Sequence, residues 1–110
     1  MEFTTGPMEL NNMLKNKENI RIIDVRQRAD YAKEHIPQAE NLPKDRWESF
    51  EGLERDKVNV VYCYSEACHL AAEAAKNFAE HGFSVMELEG GFETWETNHL
   101  PTETLDEFAL

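Results

Sequence analysis

Cysteine is scarce in this 110-residue chain: it has two, Cys63 and Cys68, five positions apart. So low a count excludes a disulfide-stapled scaffold, because such frameworks need several pairs and an oxidising compartment. It also leaves a structural zinc site short of ligands. Four are required, and beyond Cys63, Cys68 and His69 the remaining histidines, His35, His81 and His99, show no ligand spacing. No metal and no cofactor is expected.

Basic residues are few as well, 11 Lys and Arg against 22 Asp and Glu, for a formal charge of −11. Such a field repels nucleic acid and anionic lipid, so neither is expected as a partner. No apolar run approaches the roughly 20 residues that span a bilayer. The opening "MEFTTGPMELNN" lacks the basic and apolar regions of a secretory signal. A cytoplasmic location follows as the expectation, and a monomer is expected. Repeats, low-complexity tracts and linkers are missing too. One domain over residues 1–110 is expected, with a core at about 5–100 and a loosely held tail at 101–110.

What is present suffices for a packed interior: 41% hydrophobic residues, with six Phe, two Trp and three Tyr. "GPMELNNMLKN" reads as a helix with Pro7 at its first position. "IRIIDV" and "VNVVYC" are short and rich in β-branched residues, the look of strands buried on both faces. "FSVMELE" alternates into a third strand, and Ala39 to Leu42 offers a short fourth. "RADYAKEH", "KDRWESFEGLERDK" and Phe92 to Thr97 read as short helical stretches. The most regular helix pattern is "CHLAAEAAKNFAEHG", with Gly82 as its stop. Strands alternating with helices predict an α/β fold, a small parallel sheet flanked by helices on both faces. Such sheets carry their sites beyond the carboxyl ends of the strands, where Asp24 to Arg28 and Cys63 to His69 fall.

Cys63 closes a strand and a helix follows within about five residues. Backbone N–H groups without intrahelical partners face such a turn, and the helix dipole adds positive potential. A thiolate there is stabilised, and its pKa falls below the usual value of about 8.5. The competing reading of Cys63 is a small buried hydrophobe. For Cys68 that reading is stronger, and a reversible disulfide between the two needs α-carbons roughly 5–6 Å apart.

With the turn placed, "IIDVRQRADYAKEHIPQAENLP", "VVYCYSEAC" and "GFSVMELEGGFETW" together resemble, in order, the rhodanese-like domain family over about residues 5 to 100. The resemblance implies a sulfurtransferase. Cys63 would be the catalytic nucleophile, taking sulfane sulfur as a persulfide and passing it to a thiophilic acceptor. Tyr64, Ser65, Glu66, Ala67, Cys68 and His69 would form the active-site loop. Asp24 and Arg26 match the family's Asp-x-Arg and look like a brace beside that loop. His35, Pro37, Gly90, Gly91 and Trp95 match positions of structural role.

The loop departs from the family pattern in having no Lys or Arg, while Glu66 adds negative charge. Thiosulfate is therefore expected to be a poor donor, and a protein-bound or small persulfide a better one. Without a loop arginine to clamp phosphoryl oxygens, phosphatase chemistry is not expected. Two residues more than usual separate Cys63 from Ala74-Ala75, so either the loop is long or the helix starts early. Cys68 is either a resolving thiol or a packing residue. The alternatives to an enzyme are a catalytically weak protein-interaction module and a thiol redox switch.

Overall fold

The computed structural model of the chain describes residues 4–65 and 67–105. Five parallel strands form one sheet: β1 (Thr4–Thr5), β2 (Ile20–Asp24), β3 (Ala39–Asn41), β4 (Val58–Tyr62) and β5 (Ser84–Leu88), in the order β1-β5-β4-β2-β3. Among the described residues four α-helices accompany them: α1 (Pro7–Lys15), α2 (Arg28–Lys33), α3 (Leu70–Glu80) and α4 (Gly91–Thr97). A 3-10 helix at Lys44–Ser49 follows β3. This is the expected α/β class, with helical elements on both faces of a parallel sheet.

Side chains alternate across a strand, and here both faces are covered, which is why β2 and β4 read as continuous apolar runs. On one face Ile23, Val25, Val61 and Cys63 pack with Trp47 and with Ala71, Ala74 and Phe78 of α3. On the other, Ile22, Val60 and Tyr62 pack with Leu10 of α1 and with Phe92 and Trp95 of α4. The small alanines of α3 let that helix lie close to the sheet. The alternation also separates neighbours with different roles: Cys63 turns to the α3 face and Tyr62 to the α1/α4 face.

β4 lies at the centre of the sheet. From β2 the chain goes outward to β3, then returns across the sheet to β4 and runs the other way to β5. The strand order therefore reverses between β2 and β4, and a crevice opens beyond their carboxyl ends.

Two expectations need correction. β1 pairs with β5 through Thr4 and Thr5 alone, a pairing too short to leave any pattern in the sequence. Residues 101–105, expected as a loose tail, are tied down. His35 and Glu103 exchange backbone hydrogen bonds at 2.9 and 2.8 Å, Leu105 N–H donates to Ala32 O at 3.0 Å, and Trp95 Nε1–H donates to Pro101 O at 2.7 Å. The remainder of that tail, 106–110, lies outside the described residues.

Candidate active site

The site forms where β2 and β4 end side by side, Asp24 standing opposite Tyr62. Beyond them the chain makes two turns, one through Val25 to Gln27 and one from Cys63 to His69. α3 begins at Leu70, so the loop is long and the helix does not start early.

Cys63 is buried, 5% exposed, and Tyr64 beside it is 47% exposed. Ser65 O accepts the Cys68 N–H at 3.0 Å, which closes a tight turn. Ala67 and His69 are exposed and Cys68 is half-buried. Glu66, expected to bring negative charge to the loop, lies outside the described residues. The Cys63 and Cys68 sulfurs are bonded to each other, with α-carbons 6.5 Å apart, inside the range that bridged cysteines span. This is the oxidised form of the pair.

Among the described residues, no side chain hydrogen-bonds to the amides that open α3; His69 stands before them without capping. A hollow of ≈ 240 Å³ lies there, lined by Cys63, Ser65, Cys68, Ala71 and Gly91 among others. These amides and the dipole of α3 thus border the hollow that Cys63 also lines, an environment that favours an anion on sulfur.

α4 holds the loop from the other side. Its first amides donate to the loop carbonyls, Phe92 N–H to Cys63 O at 2.9 Å and Glu93 N–H to Tyr64 O at 2.7 Å. Gly91 makes that approach feasible: a Cβ there would stand 2.7 Å from both carbonyl oxygens, and its φ of +62° is in the left-handed region. Gly91, read as structural in the sequence, therefore positions the loop after β4 directly.

Asp24 and Arg26 brace the crevice floor. Asp24 is fully buried and Arg26 is 8% exposed, so the pair is not a surface ion pair. Arg26 Nε donates to both carboxylate oxygens at 3.1 Å, Nη2 donates to Oδ2 at 2.7 Å and the backbone N–H donates to Oδ1 at 2.9 Å. Nη2 also donates to Glu34 O at 2.7 Å. The Tyr62 hydroxyl donates to Asp24 Oδ2 at 2.7 Å and accepts the Ile36 N–H at 3.1 Å. The guanidinium lies over the Phe92 ring, 4.5 Å from its centroid.

Burial alone would lower the Arg26 pKa, but the hydrogen bonds and charge of Asp24 outweigh it and the net shift is upward. Burial, then the Asp24 charge, raises the Tyr62 pKa well above its ordinary value. Among the described residues no buried side-chain polar atom lacks a partner. Tyr62 and Phe92 were not singled out from the sequence; the only hint was an aromatic residue directly preceding the loop cysteine.

A cleft of ≈ 490 Å³ opens over Cys63 and Cys68, walled by Tyr64, Leu70 and Phe92. Its rim carries Asp30, Glu34 and Glu96 against Lys33, while Arg26 is already neutralised by Asp24. Among the described residues no group of three or more His, Cys, Asp or Glu is arranged to hold a metal ion.

Comparisons with known proteins agree with this architecture. The family model described as "Rhodanese-like domain" matches residues 6–98. The thiosulfate sulfurtransferase GlpE of Coxiella burnetii is 36% identical over 88 residues, covering 78% of this chain and 80% of that protein. Its namesake from Pseudomonas fluorescens is 33% identical over 105 residues, covering 94% and 93%. Among solved structures, the BH2092 protein of Bacillus halodurans superposes with a TM-score of 0.87 at 34% identity, covering 94% of this chain and 78% of that one. With the family model spanning β2 to β5, the loop and the Gly-Gly turn, the chain belongs to the rhodanese-like domain family.

Proposed function

We infer that the chain is a sulfurtransferase of the rhodanese type, with Cys63 as its nucleophile. The observation that carries this reading is the position of Cys63: it directly follows the central strand, borders the start of α3, where His69 makes no side-chain cap, and is held by a backbone bond from α4. The Cys63 thiolate attacks the sulfane sulfur of a donor, which leaves without it, and a persulfide remains on Cys63. Amides at the start of α3 stabilise the anion. An acceptor thiolate or cyanide then takes the outer sulfur, and Cys63 returns as a thiolate.

The donor follows from the rim. Three carboxylates against one ammonium repel a small dianion at the point where it must enter. At separations of about 8 Å in water, such charges cost on the order of 1 kcal/mol after screening, or several-fold in kcat/KM. Two relatives are named thiosulfate sulfurtransferases. In this chain a persulfide, protein-bound or of low molecular weight, is the preferred donor and thiosulfate the poorer one.

Steady-state sulfur transfer to cyanide, with the reduced protein, tests the reading. Cysteine persulfide should give a higher kcat/KM than thiosulfate, and Cys63→Ser should lose at least about 10³-fold with either. Activity that survives in Cys63→Ser sinks the proposal. A thiol redox switch is the second reading, favoured by the Cys63–Cys68 bond. It predicts that peroxide silences the wild type reversibly and that the effect of mild oxidation on the thiol count disappears in Cys68→Ser.

A further inference from the structure

Cys68 has no part in the transfer described above, yet the loop holds its sulfur against that of Cys63. The arrangement is local and fixed by backbone bonds. Ser65 O accepts the Cys68 N–H, and the carbonyl of Cys63 accepts the amide of Phe92. Both sulfurs also open onto the same cleft, so a group leaving either one has a way out and a reductant has a way in.

Resting on the persulfide reading, we propose that Cys68 is a resolving thiol. It converts the Cys63 persulfide into free hydrosulfide, and the co-substrate that resets the site is a dithiol. In the resolving step Cys68 first gives its proton to solvent. Its thiolate attacks the inner sulfur, Cys63 Sγ. The Sγ–Sγ bond forms as the bond to the outer sulfur breaks, and that sulfur keeps the electron pair, takes one proton back from solvent and leaves as hydrosulfide. The sulfane sulfur is reduced by two electrons, and the two cysteines are oxidised by one each. The product is the disulfide present in the structure.

Resetting favours two linked thiols over one. Cys68 is the more exposed partner and is the sulfur an outside thiolate reaches; Cys63 is the buried one. Attack on Cys68 releases Cys63 as a thiolate, the form that the start of α3 stabilises. A monothiol left on Cys68 is then expelled by Cys63 at once, because the two are held together and their effective concentration is high. A dithiol avoids this return by closing on itself. The net reaction takes sulfane sulfur and a dithiol and yields hydrosulfide and the reductant's disulfide.

The test is a single turnover. Wild type and Cys68→Ser are reduced, freed of thiols, loaded with cysteine persulfide, desalted and held anaerobically without any acceptor. Hydrosulfide and intact mass are followed. Wild type should release one hydrosulfide per chain and end two hydrogens lighter than the reduced protein, and a dithiol should restore both thiols. Cys68→Ser should release none and keep the added sulfur. If the wild type keeps its added sulfur and releases nothing, or if Cys68→Ser releases as much, the resolving role is overturned while the persulfide reading stands. If neither protein acquires or releases sulfur, both readings fall. The wild-type arm decides the matter even if the variant does not fold.

Discussion

Replacing Asp24 with Asn removes the counter-charge from a guanidinium that has almost no access to water. The carboxylate accepts from Arg26 N, Nε and Nη2 and from the Tyr62 hydroxyl. Asparagine keeps one acceptor oxygen, but its amide nitrogen then confronts Nη2 and the Tyr62 hydroxyl where Oδ2 had accepted both. Removing one partner of a buried pair costs about 3–5 kcal/mol, against about 0–1 kcal/mol for an exposed one. Domains of this size are stable by roughly 5–15 kcal/mol, so the loss is a large share of the total. At roughly 4 °C per kcal/mol, Tm should fall by about 12–20 °C. Urea unfolding measures the free energy directly, with an unchanged m-value showing that the denatured state is not altered. A double variant, Asp24→Asn with Arg26→Met, should recover more than half the loss because no uncompensated charge remains. An Asp24→Asn loss below about 1 kcal/mol, or a double variant no better than the single one, would refute the buried-brace argument.

Three further outcomes follow from the same geometry. Gly91→Ala places a methyl group against the carbonyls of Cys63 and Tyr64 at a positive φ. It should cost at least about 1–2 kcal/mol in urea unfolding and lower kcat more than a distant substitution of equal cost. Tyr62→Phe leaves the Ile36 N–H without its acceptor and should cost about 1–3 kcal/mol at neutral pH. Because the folded Tyr62 pKa is raised, its contribution is complete below pH about 10 and is lost as pH rises from there through the folded value. An alkaline unfolding profile should therefore be shallower in Tyr62→Phe than in wild type. Finally, raising ionic strength should increase kcat/KM for thiosulfate several-fold by screening the rim; a decrease would mean that the cleft attracts anions.

Much of this arrangement is legible along the chain because its causes are local. The spacing of Ala71, Ala74 and Phe78 marks the buried stripe of α3, and the β-branched runs mark β2 and β4. Asp24 and Arg26 are two residues apart at a strand end, so their nearness could be read directly. Non-local causes left no such mark. The Tyr62 hydroxyl reaches Asp24 across 38 positions of sequence, and a tyrosine in an apolar strand looks like one more core residue. Thr4 and Thr5 are strand only because β5 lies beside them. The hold on residues 101–105 comes from bonds to Ala32, His35 and Trp95, partners that only the completed fold brings near. The loop length, ambiguous in the sequence, is set by where α3 can pack its alanines, and that is at Leu70.

The claim on which the rest depends is that sulfur is carried on Cys63. Intact mass of the reduced Cys68→Ser protein after exposure to cysteine persulfide tests it without interference from any resolving step. The account predicts a gain of one sulfur atom, removed by cyanide, and no gain in Cys63→Ser. A Cys68→Ser protein that stays at its starting mass, or a Cys63→Ser protein that gains the same sulfur, would contradict it.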